Sequence, residues 1–187
     1  MQIPFEHRQS AHCETGVAAN LLSHHGLDVN EAMAFGIGSG LFFGYLPFIR
    51  LNHLPLTTYR ITTGGIMKRL TKRLGVKLKM TQFRNPRKAM AALDRKLEEG
   101  VPVGCQTGGY WLPYFPQAYR FHFNMHNLVV IGREGDDYQI SDPIFETTVT
   151  CHRRDLMKAR FAKGCLLYTS DAADDQWRGG GGGGGGW

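Results

Sequence analysis

The sequence predicts an α+β fold in which an N-terminal helix packs on an antiparallel sheet. All but one of the predicted helices lie in the first hundred residues, whereas strand patterns follow one another from Val101 onward. Separate runs of helices and strands are typical of this class, because strictly alternating strands and helices would indicate a parallel sheet. Hydrophobic residues make up 42% of the 187 residues, which is enough for a sizeable core.

The first two predicted helices lie close to the N-terminus, after an irregular lead-in. Residues 13–25 carry apolar side chains at helical spacing, beside small residues that allow close packing. Gly26 follows as a typical helix stop. Asn30 is a suitable N-cap for a short helix over 31–35.

Glycines recur in residues 35–44 with the spacing G-x-G-x-G. The full nucleotide-binding fingerprint is missing and no strand pattern precedes the glycines, so a phosphate site is disfavoured. We expect a tight loop that brings aromatic residues against the core. Residues 45–62, which are aromatic and contain proline, are predicted to be irregular.

Two further helices are predicted in the basic part of the chain. Residues 63–74 place three apolar side chains on one helical face. Residues 85–99 begin with Asn85-Pro86, and proline is favoured at the first helical position. Between them, residues 76–81 alternate as a strand does.

The remaining chain predicts a sheet closed by a helix. The run 128–132 is continuously apolar, as buried central strands are. Gly135-Asp136-Asp137 predicts the turn that joins this strand to the next one in a hairpin. The predicted elements are strands over 101–107, 128–132, 138–142 and 147–151 and a final helix over 154–162.

The last 23 residues are predicted not to be a domain. Residues 165–175 match a translated transposon-end adapter of a sequencing library, and an unbroken glycine run follows at 179–186. Glycine alone cannot bury a core, so we expect 165–187 to be a read-through artefact. The domain is then residues 1–164, and we expect it to be truncated on its C-terminal side.

Composition also bounds the location and the partners. No apolar run reaches the roughly 18 residues of a membrane span, and the N-terminus lacks a signal-peptide pattern. We expect a cytoplasmic protein with reduced thiols that binds no membrane. Residues 1–164 hold 21 basic and 13 acidic residues, a net charge of +8. This charge favours an acidic partner such as a carrier protein or a nucleic acid. A solvated basic face is the simpler interpretation, and no nucleic-acid partner is expected.

A candidate nucleophile stands where the lead-in turns into the first helix. At this helix N-terminus, the dipole and the free N–H groups favour the thiolate of Cys13. His126 opens the continuous apolar strand and Asp142 closes the next, so a hairpin can bring the two together. In a cysteine-histidine-aspartate site the imidazole takes the thiol proton and the carboxylate orients the ring.

A buried, inert thiol is the alternative for Cys13 taken alone. Cys105 lies in a predicted strand and is expected in the core. Cys151-His152, His24-His25 and His122 do not form the paired C-x-x-C motif of a zinc site, so neither a metal nor a cofactor is expected.

Five segments occur in an order that is known from papain-like enzymes. They are His12-Cys13, Phe35 to Gly40, Leu112-Pro113-Tyr114, His126 and Asp142-Pro143. The strands around the last two resemble C39-type bacteriocin-processing peptidases. The whole set resembles the N-terminal domain of butirosin biosynthesis protein H and its relatives, over roughly residues 5–155.

This resemblance implies a papain-like, C39-peptidase-like fold and acyl transfer. The family's named member moves an aminoacyl group from an acyl-carrier-protein thioester to an aminoglycoside amine. By analogy, Cys13 takes the acyl group, His126 shuttles the proton and Asp142 orients His126. The implied partners are an acyl carrier protein and a small-molecule acceptor in natural-product biosynthesis. A cysteine peptidase or amidase and a catalytically inactive binding module remain alternatives.

One position departs from the papain-like pattern. Those peptidases stabilise the oxyanion with a glutamine six residues before the cysteine, and here that residue is His7. Gln9 is the nearest glutamine and is our candidate oxyanion donor, beside the backbone N–H of Cys13.

Four further residues are candidates for lining the substrate pocket. His12 is adjacent to the cysteine, and a structural role fits it equally. Three aromatic residues follow the strand predicted over 101–107, and ordinary packing explains them equally well. They are Tyr110, Trp111 and Tyr114.

Overall fold

The computed structural model describes residues 2–51, 53–122, 124–162 and 173–174. The helices are α1 (Cys13–His24), α2 (Glu31–Ile37), α3 (Gly65–Arg73), α4 (Pro86–Glu98) and α5 (Arg153–Arg160). The strands are β1 (Leu41–Leu51), β2 (Leu54–Arg60), β3 (Thr81–Gln82), β4 (Val103–Thr107), β5 (His126–Glu134), β6 (Asp137–Ser141), β7 (Val149–His152) and β8 (Ala173–Asp174).

A four-stranded antiparallel sheet of order β4-β5-β6-β7 organises the molecule. Strands β5 and β6 are joined by the two-residue turn Gly135-Asp136, in which Gly135 has a φ of +58°. Glycine adopts this left-handed conformation without steric cost, and such turns match the twist of a hairpin. The predicted α+β class and the predicted hairpin are therefore confirmed.

Helices cover both faces of this sheet. Val129 and Ile131 of β5 pack with α1 and α3, whereas Leu128 and Val130 pack with α4 and α5. Successive side chains of a strand point to opposite faces. The apolar run of β5 is continuous because each of its faces is buried under helices.

Helix α4 is built as its sequence signals predict. The Asn85 side chain accepts a hydrogen bond from the Lys88 N–H at 3.1 Å, and Pro86 is the first helical residue. Met90, Leu93 and Leu97 are buried against the sheet. Helix α4 covers the face of the sheet opposite α1.

The prediction of a tight loop and an irregular segment over residues 35–62 is wrong. Strands β1 and β2 form an antiparallel two-stranded ribbon, with one register shift between Leu41 and Gly44 and a second, which includes Pro47, between Leu46 and Arg50. Aromatic and β-branched residues favour strands, and prolines are tolerated because both outer edges of a ribbon lack a partner strand. Many apolar side chains of the ribbon are exposed: Leu41, Phe42, Phe43, Tyr45, Phe48, Ile49, Leu54 and Tyr59.

The strand predicted over residues 76–81 is also wrong for most of its length. Only Thr81 is in a strand, in β3, which pairs with β8. The alternation is nonetheless real, because Val76 and Leu78 are partly buried against the cluster around α1 while Lys77 and Lys79 are exposed. Alternating apolar and polar residues indicate an extended segment with one buried side, and such a segment need not pair with another strand.

The other predicted elements are present, with ends that differ by a few residues. Residues 163–172 and 175–187 lie outside the described residues, so the expected nature of the tail stays a prediction. Within the described ranges, no helix has the length and apolarity needed to cross a membrane.

Replacing the cap of α4 tests the contribution of this helix to stability. We expect Asn85→Ala to lower the free energy of unfolding by about 1 kcal/mol, because the N–H of Lys88 loses its acceptor. Urea unfolding measures the change. Asn85→Asp keeps an acceptor at the same place and should unfold like the wild type; equal losses in both variants would contradict a capping role.

Candidate active site

Cys13 is the first residue of α1 and is half-buried. The first N–H groups of a helix have no acceptor within the helix, so the backbone N–H of Cys13 is available to a substrate. The helix axis directs the positive end of its dipole toward the thiol. The predicted position of the cysteine at a helix start is therefore present in the structure.

His126 and Asp142 lie together beside this helix, although sixteen residues separate them in the chain. His126 opens β5, and Asp142 directly follows β6, which pairs with β5. The Nε2 atom of His126 is 2.7 Å from Oδ2 of Asp142, and both side chains are almost completely buried. The hairpin thus produces the histidine–carboxylate contact.

Asp142 has hydrogen-bond donors on both carboxylate oxygens. The Tyr114 hydroxyl donates to Oδ2 at 2.8 Å, and the N–H of Ile144 donates to Oδ1 at 3.3 Å. Burial and the negative charge of Asp142 raise the pKa of Tyr114 well above its usual value, so the phenol keeps its proton. Tyr114, predicted as a pocket-lining residue, thus holds the carboxylate that contacts His126.

The side chains of Cys13 and His126 each shift the pKa of the other. Burial would raise the pKa of the Cys13 thiol, but the hydrogen bond and the charge of His126 outweigh it and lower the pKa. Burial would lower the pKa of His126, but the charge and hydrogen bond of Asp142, together with those of Cys13, raise that pKa to about 9. The opposite shifts favour a thiolate–imidazolium pair near neutral pH.

Asn127 is a second neighbour of the thiol that sequence reasoning missed. Its Nδ2 atom lies 3.8 Å from Sγ of Cys13, and its backbone also contributes a hydrogen bond that lowers the pKa of Cys13. The side chain is 6% exposed. A signal was available, since alternation along β5 places Asn127 on the same face as Val129, toward α1.

His12 is part of a polar network under the first turn of α1. Its Nε2 atom contacts the Arg60 guanidinium, which also donates to Oε2 of the buried Glu14 at 2.7 Å. The Nδ1 atom of His12 lies 2.9 Å from Oγ1 of Thr15 and accepts a hydrogen bond from the Thr15 backbone N–H at 3.4 Å, which caps α1. Burial and the charge of Arg60 lower the pKa of His12. Arg60 ends β2, which sequence analysis took for irregular chain, so no signal pointed to it.

Other predicted residues lie in different surroundings. Gln9 is exposed, and no hydrogen bond joins its side chain to any other described residue. His7 is bound elsewhere, since its Nδ1 is 2.8 Å from the Ser141 hydroxyl and its Nε2 is 3.0 Å from the carbonyl oxygen of Phe145. Neither residue is joined to the thiol.

The two remaining aromatic candidates are about two-fifths exposed and engage other side chains. The Tyr110 ring stacks on His122 with ring centroids 4.0 Å apart, and the Lys158 ammonium lies 5.1 Å from the Trp111 ring centroid. Their predicted role in a substrate pocket stays a prediction. Among the described residues, no group of three or more histidine, cysteine or acidic side chains is placed to hold a metal.

Gly16 sets the distance between α1 and the turn after β6. A Cβ atom at Gly16 would lie 2.6 Å from Cβ of Pro143 and 2.7 Å from Cβ of Ser10. The Ser10 N–H also donates to the carbonyl oxygen of Pro143 at 2.6 Å. Because Pro143 follows Asp142 directly, this contact fixes the helix that carries Cys13 against the loop that carries the carboxylate.

Alkylation of Cys13 tests the ion pair. We expect iodoacetamide to modify Cys13 with a pH midpoint below the free-cysteine value of about 8.5, because His126 lowers its pKa. Reactivity should persist as pH falls toward neutral and disappear only below the lowered pKa. His126→Ala should move the midpoint upward.

Peptide-resolved mass spectrometry is the appropriate measurement, since it separates Cys13 from the other thiols. Cys151 is the internal control, because burial and then the charges of Asp155 and Asp137 raise its pKa to about 12. A Cys13 midpoint at or above the free value would contradict the ion pair.

Gly16→Ala tests the close approach of α1 to Pro143. We expect a loss of about 1–3 kcal/mol in the free energy of unfolding, because the added methyl group overpacks the contact. The alkylation rate of Cys13 at neutral pH should fall too, since the helix is pushed away from the carboxylate. Gly36→Ala in α2 is the matched control. Nothing lies within 4 Å of its added Cβ, so it should stabilise the helix.

The fold is similar to that of two solved peptidase structures. A putative C39-like peptidase from Bacillus anthracis superposes with a TM-score of 0.61 at 18% identity, covering 85% of this chain and 92% of the other. The peptidase domain of Streptococcus ComA, a bifunctional ABC transporter involved in quorum sensing, gives a TM-score of 0.52 at 15% identity, with 83% and 91% covered. At these identities the likeness shows the fold, and it confirms the C39-peptidase-like prediction.

Sequence comparison gives the family. No curated protein matches the chain. The model of the family described as butirosin biosynthesis protein H, N-terminal, matches residues 12–143, a span that begins beside Cys13 and ends beside Asp142. Since this match covers more than half of the 187 residues, the chain belongs to the butirosin biosynthesis protein H N-terminal family.

Proposed function

We propose that this protein is a cysteine-dependent acyltransferase that carries the acyl group as a thioester on Cys13. The observation that supports this most directly is the 2.7 Å contact of His126 with Asp142, together with the influence of His126 on Cys13, which lowers the pKa of the thiol while that of the imidazole is raised to about 9. A preformed thiolate is the form of cysteine that attacks carbonyl carbons.

In the first half-reaction the Cys13 thiolate attacks the carbonyl carbon of a thioester donor. A carbon–sulfur bond forms, and the carbonyl electron pair moves onto oxygen to give a tetrahedral oxyanion. When the carbonyl re-forms, the bond to the donor sulfur breaks. The imidazolium of His126 gives its proton to the departing thiolate. The products are a free donor thiol and acyl-Cys13.

In the second half-reaction an amine of the acceptor attacks acyl-Cys13. Neutral His126 removes the proton from the attacking nitrogen, the oxyanion forms again, and its collapse expels the Cys13 thiolate. The proton remains on His126, which restores the ion pair. Asp142 stabilises the charged ring in each half-reaction without itself taking the proton.

An acidic carrier protein is the donor that the charge distribution favours. Residues 32–93 contain eleven lysines and arginines and no acidic residue. The basic side chains of α3, of the segment after it and of the first turn of α4 are exposed: Lys68, Arg69, Lys72, Arg73, Lys77, Lys79, Arg84, Arg87 and Lys88. Such a surface attracts an acidic partner and raises the rate of encounter. The acceptor is proposed to be a small-molecule amine, in keeping with the family name.

A cysteine peptidase or amidase is the second candidate, favoured by the C39-like peptidase fold. The same three residues would act with water as the acceptor. The two functions differ only in what discharges acyl-Cys13, so the fate of the acyl-enzyme separates them.

Intact-protein and peptide mass spectrometry with acyl-carrier thioesters tests this proposal. We expect an acyl adduct on the Cys13 peptide that is absent in Cys13→Ala, retained in Cys151→Ala and discharged by added amines. Discharge by water at the same rate with and without amine would favour the hydrolase. The absence of any adduct across acyl donors would overturn acyl transfer.

A further inference from the structure

Acyl chemistry at Cys13 requires donors for an oxyanion. Addition of the thiolate places a full negative charge on the former carbonyl oxygen, and preorganised N–H groups stabilise that charge. The backbone N–H of Cys13 is one donor. The papain-like pattern supplies the second from upstream, but here His7 is bound to Ser141 and Phe145, and Gln9 is exposed without a partner among the described residues.

The Asn127 side chain occupies the position that such a donor needs. Its Nδ2 lies 3.8 Å from Sγ of Cys13, and the side chain is 6% exposed, so water competes little for it. The oxyanion is attached to the carbon that bonds Sγ. A donor that already reaches Sγ therefore borders the space where that oxygen forms, and productive donors lie roughly 2.7–3.1 Å from it.

The orientation of this amide is fixed by a second hydrogen bond. One hydrogen of Nδ2 is donated to the carbonyl oxygen of Met125 at 3.1 Å. The reverse orientation would set the amide oxygen against the Met125 oxygen, and two acceptors cannot bond each other. The other N–H of the same nitrogen is consequently free to point toward the thiol.

We propose that the Asn127 side-chain amide and the Cys13 backbone N–H together form the oxyanion hole of this enzyme, in place of an upstream glutamine. In the resting state the amide donates toward the thiolate. When the bond from Sγ to the acyl carbon forms, the negative charge moves from sulfur to the carbonyl oxygen. The Asn127 amide then donates its hydrogen bond to that oxygen. This inference rests on the proposed acyl chemistry at Cys13.

Two variants and two probes test the assignment. Asn127→Ala removes the amide, and Asn127→Leu keeps a side chain of similar size without a donor. Gln139→Ala, which removes an amide from the middle of β6, is the control. Acylation is followed with the acetyl thioester of N-acetylcysteamine, and propionaldehyde binding is followed as protection of Cys13 from iodoacetamide. All rates are divided by the thiolate fraction from the alkylation pH profile.

We expect acylation per thiolate to fall by about 10²–10³ in both Asn127 variants and aldehyde affinity to fall about tenfold. Alkylation per thiolate should stay near the wild-type rate, because displacement of iodide creates no oxyanion. Unchanged acylation in the variants would overturn the assignment while leaving acyl transfer intact. A parallel loss of alkylation would overturn it as well, since Asn127 would then only position the thiol.

The aldehyde separates this inference from the proposed function. If wild-type protein is not acylated by the thioester, the transferase proposal fails, and the aldehyde alone decides the role of Asn127. Weaker protection in both variants then supports the oxyanion hole at Cys13. Equal protection in the wild type and the variants rejects it.

Discussion

The candidate site depends on one close contact, that of the first turn of α1 with the turn after β6. Gly16 has no side chain where Pro143 and Ser10 approach, so the backbone of α1 can lie directly against the loop. The helix delivers Cys13 and the loop delivers Asp142, and neither element could place the two groups together alone. The antiparallel pairing of β5 and β6 supplies the third group, since it holds His126 beside the carboxylate. The small size of Gly16 thus allows the segments that carry Cys13, His126 and Asp142 to come together.

Burial makes this convergence chemically useful. An isolated charge is costly in a protein interior, and a paired, fully hydrogen-bonded one is tolerated. Asp142 has no exposed surface, yet donors from Tyr114, Ile144 and His126 surround its oxygens. Asp142 raises the pKa of His126, and His126 in turn lowers the pKa of the Cys13 thiol. Water would weaken each of these interactions, and the helices on both faces of the sheet exclude it.

Much of this arrangement follows from local sequence signals. The predicted helix start identified Cys13 as a candidate nucleophile. The predicted glycine-containing turn between two apolar runs placed His126 and Asp142 on one hairpin. The fold and the family are confirmed, whereas the catalytic roles remain predictions. Contacts set by tertiary packing left no such signal: the bond from Tyr114 to Asp142 spans 28 residues, and that from Arg60 to Glu14 spans 46. The ribbon of β1 and β2 was missed because aromatic residues and prolines obscured its pattern.

That ribbon also has a mechanical consequence. Two strands without a third are marginally stable in water, and their ends fray readily. Yet the last residue of β2, Arg60, neutralises the buried Glu14 one position after Cys13. Fraying that began at the turn between β1 and β2 would stop at Arg60, because release of Arg60 would leave the buried Glu14 carboxylate without its cation. The ribbon is thus tethered by this ion pair to the first turn of α1, one residue from Cys13.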